Sequence, residues 1–156
     1  MTEGGRLQET RDLMLNGLLY LILSEMINES DLKDIRRINN HYVQKAVSFI
    51  EANYKEEIHI SDISAYLCLE RKYFSRIFKE KTGLTPQEFL LKFRMKKACA
   101  LMADSSVTIG ETAILVGYKD PFLFSRTFKK HNGISPTGYR KSLEIKRNIL
   151  FITITK

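Results

Sequence analysis

Residues 73–89 read YFSRIFKEKTGLTPQEF and residues 123–139 read LFSRTFKKHNGISPTGY; laid over one another at an offset of 50, they match without a gap. Identities fall at Phe74/Phe124, Ser75/Ser125, Arg76/Arg126, Phe78/Phe128, Lys79/Lys129, Gly83/Gly133 and Pro86/Pro136. Seven identities in 17 aligned positions are far more than chance supplies, so the chain carries an internal duplication. Each copy follows a short capped helix and a turn, residues 61–70 in the first and 108–120 in the second, so the repeated unit is helix, turn, helix.

Working outward, the helix punctuation is dense. Ser61 and Asp62 cap a short helix to Leu67; Thr85, Pro86 and Glu88 make a capping box with proline at the first helical position; Thr108 and Glu111 make another; Ser135 precedes Pro136 in the same way. Gly83, Gly117 and Gly133 stand where helices should stop. Between the copies a helix runs from the Thr85/Pro86 cap to about Ala103. Upstream, a helix spans Gln8 to Ile27, and a second starts near Asp31 and continues, with Asn39 and Asn40 as the point where a break would fall, into a helix from Tyr42 to Asn53 with Val43, Ala46, Val47 and Ile50 at i, i+3, i+4 and i+7. Alternating β-branched residues, the strand signal, occur only at 149–155. The expected class is all-α: two helix-turn-helix subdomains joined by a long linker helix and preceded by an N-terminal helical segment.

In the first copy Phe74, Ile77 and Phe78 share a face and point toward Ile63 and Leu67 of the preceding helix. The opposite face carries Lys72, Ser75, Arg76 and Lys79 at i, i+3, i+4 and i+7, with Arg71 beside them. Such a ridge fits the major groove, where an arginine grips guanine O6 and N7 with two hydrogen bonds and lysine or serine reaches bases or phosphates. The second copy turns Phe124 and Phe128 inward and Phe122, Ser125, Arg126 and Lys129 outward, with Lys130 off the ridge. Phe122 either meets a thymine methyl group or packs beside Tyr118. For Arg76 and Arg126 the competing reading is a surface ion pair.

Charge is distributed to match. Residues 1–40 hold 5 basic and 7 acidic side chains and residues 41–156 hold 20 and 11, which is −2 against +9, with a sequence pI near 9.4. A basic balance confined to one region suits nucleic acid, an anionic membrane surface or simple solubility. Apolar residues at 44%, with only 8 glycines and 3 prolines in 156 residues, exclude a linker or disordered chain. Residues 13–27, LMLNGLLYLILSEMI, are interrupted by Asn16, Gly17, Ser24 and Glu25 and fall short of the roughly 20 residues of a membrane span. No signal peptide is expected ahead of them. Cys68 and Cys99, 31 residues apart with no metal-ligand spacing, read as reduced, buried structural thiols. His41, His59 and His131 are scattered, and no nucleophile elbow, phosphate loop or carboxylate pair appears, so neither a catalytic centre nor a cofactor or metal is expected.

These residues resemble the AraC/XylS family of bacterial transcription regulators. The resemblance covers residues 42–140 and rests on FIEANY at 49–54, YFSRIFKEKTGLTP at 73–86, FRMKKACALM at 93–102 and VGYKDPFLFSRTFKKHNGISPTGYR at 116–140. Two departures stand out: Glu70 occupies the place where the family usually has a capping serine, and Ser64 one usually filled by alanine. The resemblance implies a sequence-specific, cytoplasmic regulator in which residues 41–143 form the DNA-binding domain. Residues 1–40 would be the end of a regulatory or dimerisation domain; residues 144–156 are a tail of unknown role whose apolar stretch at 149–155 runs beyond the family's usual end, as a packing strand, a partner segment or neither. Expected partners are double-stranded DNA, a second copy of the chain through Leu7, Met14, Leu18, Leu21 and Ile22, and RNA polymerase, with no membrane and with any small-molecule effector bound outside this region. A helical interaction module in which DNA binding is secondary is the alternative.

Overall fold

A computed structural model describes residues 14–19, 21, 22, 24 and 29–154. Among them there is no strand, and seven helices have defined bounds: α1 Glu29–Asn53, α2 Ile60–Tyr66, α3 Arg71–Thr82, α4 Pro86–Leu101, α5 Ile109–Leu115, α6 Pro121–Asn132 and α7 Pro136–Ile154. The chain divides at Tyr42/Val43 into two compact units. In the first, residues 14–19, 21, 22 and 24 are helical. The rest of the helix expected over Gln8–Ile27, Leu7 ahead of it included, lies outside the described residues.

The second unit holds both copies of the repeat. In the first copy Ile63 and Leu67 from α2 and its cap are buried together with Phe74, Ile77 and Phe78 of α3, while Val43, Ala46 and Ile50 are the buried residues of α1. Its aromatic centre runs Phe74–Phe78–Phe89, with ring centroids 5.6 and 5.5 Å apart, edge to face. In the second copy Ala113, Val116, Phe124 and Phe128 close on Met95 and Ala98 of α4 and on its C-cap Met102, so the linker helix is itself part of that core. Each fully buried phenylalanine contributes about 1.5 to 3 kcal/mol, which makes the inward faces of α3 and α6 the principal anchors of the two copies.

Local signals set most of the boundaries. Thr85 accepts from the Glu88 N–H while Glu88 accepts from the Thr85 N–H at 2.8 Å; Thr108 and Glu111 repeat the box, and Ser135 accepts from the Gly138 N–H at 3.1 Å. Gly83 and Gly133 end α3 and α6 in the left-handed region, with φ of 74° and 79°.

The structure departs from the sequence expectations at several points. The α2 cap is His59, with Asp62 at the third helical position accepting from the His59 N–H at 2.7 Å; Ser61 lies inside the helix. Helix α1 passes through Asn39 and Asn40 unbroken, because asparagine in a helix interior costs only a few tenths of a kcal/mol, roughly 0.6, too little to stop a long helix. Helix α4 ends at Leu101, two residues early, because the Asp104 carboxylate takes the Ser106 N–H at 2.9 Å and its hydroxyl at 2.7 Å, a turn that competes with helix. Residues 149–154 continue α7 as helix; once a helix has started at Pro136, adding residues is easier than starting a strand with no partner edge. Cys68 is exposed, in the turn after α2 with φ of 53°, and Cys99 is half-buried, so neither is a fully buried thiol.

Helix α7 also crosses the boundary expected at 143/144. Arg140 donates to the Val107 carbonyl and Arg147 to the Ala103 carbonyl at 2.7 Å, so residues on either side of that point hold the segment between α4 and α5.

Candidate nucleic-acid interface

Helices α3 and α6 are aimed by the same device. Phe74, Ile77 and Phe78 bury one face of α3, and Phe124 and Phe128 bury the matching face of α6, which leaves the opposite faces outward. On α3, Arg71, Lys72, Arg76 and Lys79 are exposed and Ser75 is half-buried; on α6, Phe122, Arg126, Lys129 and Lys130 are exposed and Ser125 is half-buried. The ten residues singled out from the sequence therefore all lie on the accessible sides of the two helices.

The N-terminal end of each helix is fixed by a carboxylate. Glu70 accepts the Tyr73 N–H at 2.9 Å, so the missing family serine is replaced by a working cap. Hydrogen bonds from the backbone of Lys72 and Tyr73 hold its carboxyl below the usual range. Asp120 does the same for α6, accepting from the Phe122 N–H at 2.8 Å.

The two ridges differ in what they offer. The Arg76 guanidinium lies 5.3 Å from the Tyr73 ring and 3.9 Å from the Glu80 carboxylate, with both side chains more than half exposed at 64% and 57%. A pair this long and wet is worth at most about 1 kcal/mol, so it does little to keep the guanidinium from a competing partner. The residue matching Glu80 in the second copy is Lys130, and Arg126 has no ion pair among the described residues. Phe122 is 83% exposed: it does not pack beside Tyr118, whose ring meets Phe124 at 5.5 Å instead. Leu123, next to it, is exposed as well and was not foreseen, since a leucine in a helix reads as core; its partner at offset 50 is Tyr73, the residue under Arg76. Ser125 uses its proton on the Pro121 carbonyl at 2.9 Å, which leaves its oxygen as an acceptor.

In the first unit Met14, Leu18, Leu21 and Ile22 are all exposed, Met14 by 72%. Among the described residues no group of His, Cys, Asp and Glu could hold a metal ion, and no helix is long and apolar enough to cross a membrane.

A helix-turn-helix domain family matches residues 63–142. The chain is similar to the raffinose operon transcriptional regulatory protein of Pediococcus pentosaceus, 34% identical over 136 residues, which is 86% of this chain and 49% of that protein. It is 38% identical over 108 residues to the lactose operon transcription activator of Staphylococcus xylosus, covering 69% of this chain and 39% of that one. The chain thus spans about half or less of the curated relatives it matches. Among solved structures, a transcriptional regulator of the AraC-type DNA-binding domain-containing proteins from Chromobacterium violaceum superposes with a TM-score of 0.61 at 29% identity, over 67% of this chain and 93% of that one.

Proposed function

This chain belongs to the AraC/XylS family of helix-turn-helix transcription regulators, and from that membership we propose that it is a sequence-specific regulator whose α3 and α6 read two successive major grooves of double-stranded DNA. The observation that carries the reading is the duplicated ridge: two helices in one compact unit, each anchored by buried phenylalanines and each turning arginine and lysine outward at the same register. Helix α4, with 16 residues, is about 24 Å long, shorter than the roughly 34 Å between grooves, so modest bending of the duplex accompanies joint contact.

Selection of sites from random duplex DNA tests this. Two short boxes about one helical turn apart are expected, with affinity falling about two to four decades between 50 and 200 mM salt. Inserting five base pairs between the boxes should abolish joint contact, and an unchanged two-box footprint would refute the bipartite mechanism. In this reading the protein works in the cytoplasm, RNA polymerase is the downstream partner, and residues outside this region bind any effector.

The exposed apolar residues of the first unit support a second element, a homodimer through Met14, Leu18, Leu21 and Ile22, with Leu7 on the same sequence pattern. Light scattering at tens of micromolar should give twice the monomer mass, and truncation of residues 1–30 should return it to monomer. If the full chain stays monomeric, those residues serve another contact.

A further inference from the structure

Helix α4 joins the two reading heads by packing into both, through Phe89 in the first and through Met95 and Ala98 in the second. The structure supplies a second tie. Arg94, midway along α4, donates from Nε to the Tyr54 carbonyl at 2.8 Å and from Nη2 to the Glu56 carbonyl at 2.7 Å. These carbonyls lie just past the C-terminus of α1, where a helix runs out of internal donors. The same guanidinium lies 5.6 Å from the ring of Tyr118, in the turn between α5 and α6. Burial lowers its pKa, yet an arginine keeps its charge at neutral pH.

The turn itself comes to the same place. Gly117 has φ of 86°, and a Cβ there would sit 2.7 Å from the Tyr54 carbonyl oxygen, 2.8 Å from that of Lys55 and 2.9 Å from Arg94 Nη2. One residue beyond Tyr118, the Lys119 ammonium pairs with the Glu57 carboxylate, each shifting the other toward its charged form. One end of this strap leads into α2, the scaffold helix of the first head; the other end leads into α6, the reading helix of the second. None of its side chains is on either ridge.

We infer that Arg94, with Gly117 and the Lys119–Glu57 pair, is the positioning element that fixes the rotation of one reading head relative to the other and so sets which box spacing the protein accepts. The inference rests on the bipartite reading proposed above. Linked sites gain affinity only when geometry lets both engage together, and a looser link trades peak affinity for tolerance of spacing.

The test is a binding series on duplexes carrying both selected boxes with the spacer changed from minus two to plus two base pairs, beside duplexes carrying one box. The intact protein should lose about 30-fold at the extremes, whereas Arg94→Ala should bind its best spacing about 10-fold more weakly and vary by less than about 3-fold across the series. Its single-box affinities should stay within about 2-fold of the intact protein, and Arg94→Lys, which keeps the charge without the fork, should fall between. Glu57→Lys and Lys119→Glu, both at exposed sites, should each flatten the profile slightly and the double reversal should restore it. A steep profile retained in Arg94→Ala, or single-box binding lost with it, would overturn the strap alone. Should Arg94→Ala fail to fold, steep profiles in both single reversals would do so. A flat profile in the intact protein would instead overturn the bipartite reading itself.

Discussion

The two helix-turn-helix copies share an aromatic interior and, outside, Ser75/Ser125, Arg76/Arg126 and Lys79/Lys129, but part company at the outward positions around them. The aromatic train Phe74–Phe78–Phe89 has spacings of 5.6 and 5.5 Å, and its counterpart Phe124–Phe128–Tyr139 has 5.7 and 5.7 Å. On the outer faces, Lys72 is matched by Phe122, Tyr73 by Leu123 and Glu80 by Lys130. The turns diverge too: Cys68 takes a left-handed backbone on an exposed loop, while Gly117 takes one against the backbone of Tyr54 and Lys55. Packing density holds the inner faces to one solution, because a core tolerates little change in shape. An outer face is held only by what it binds, so under the proposed reading the first head would grip polar base edges and phosphates and the second would add apolar contact.

The strongest way to break this pairing is through the turns. Gly117→Ala combines left-handed strain with a clash on main-chain oxygen and should cost about 2 to 4 kcal/mol in denaturant unfolding. Gly83→Ala and Gly133→Ala, where a Cβ meets nothing within 4 Å, should cost only about 1 to 2 kcal/mol. Equal losses at all three would mean the close approach at Gly117 is not felt. Next come the ridges. Arg76→Ala should cost roughly 1 to 3 kcal/mol on the preferred site, relax one guanine position and lower the salt slope by about one. Phe122→Ala should cost about 1 kcal/mol, relax a thymine position and leave the slope unchanged. If Phe122→Ala changes the slope instead, the second head is not reading through apolar contact.

Smaller effects sharpen the contrast. Cys68→Gly removes left-handed strain in an open turn and should raise stability by about 0.5 kcal/mol, net of the extra freedom glycine gains when unfolded. A measured loss would show that the thiol contributes contacts of its own. The smallest effect is acid sensitivity at Glu70. Its carboxyl is held below its ordinary value in the folded state, so its capping contribution is complete above about pH 4.5 and fades as the pH falls through the lowered value. Glu70→Gln should lower stability at neutrality and flatten the stability-versus-pH curve below that point, so that the two proteins converge at low pH. An unchanged acid limb would mean that the carboxylate cap is not formed in solution.

What could be read from the chain was whatever is encoded within four or five residues. The boxes at Thr85/Glu88 and Thr108/Glu111 and the stops at Gly83 and Gly133 pair neighbours, and the duplication doubled every such signal. His59 escaped notice as a cap because Ser61 is the more favoured type, although Asp62 three residues on is the better clue. The exposure of Cys68 was hidden because left-handed backbone at a non-glycine residue leaves no composition signal. Arg94 was not recognisable at all: its partners lie 40 and 38 residues away and are main-chain carbonyls, which every sequence supplies at every position.

The strap of Arg94, Lys119 and Glu57 has a kinetic consequence. The principal packing joins consecutive helices, α2 to α3 and onward to α7, so most of the fold is assembled from chain neighbours and should form within microseconds to milliseconds. The Lys119–Glu57 pair instead closes a loop 62 residues long, and a contact of that span comes together after the local ones. Weakening it should therefore accelerate unfolding and hardly slow refolding, the pattern of an interaction absent from the transition state. Stopped-flow chevrons of Glu57→Lys that shift only the folding arm would place the closure early. With late closure, a newly synthesised chain holds two finished heads before it holds a fixed rotation between them.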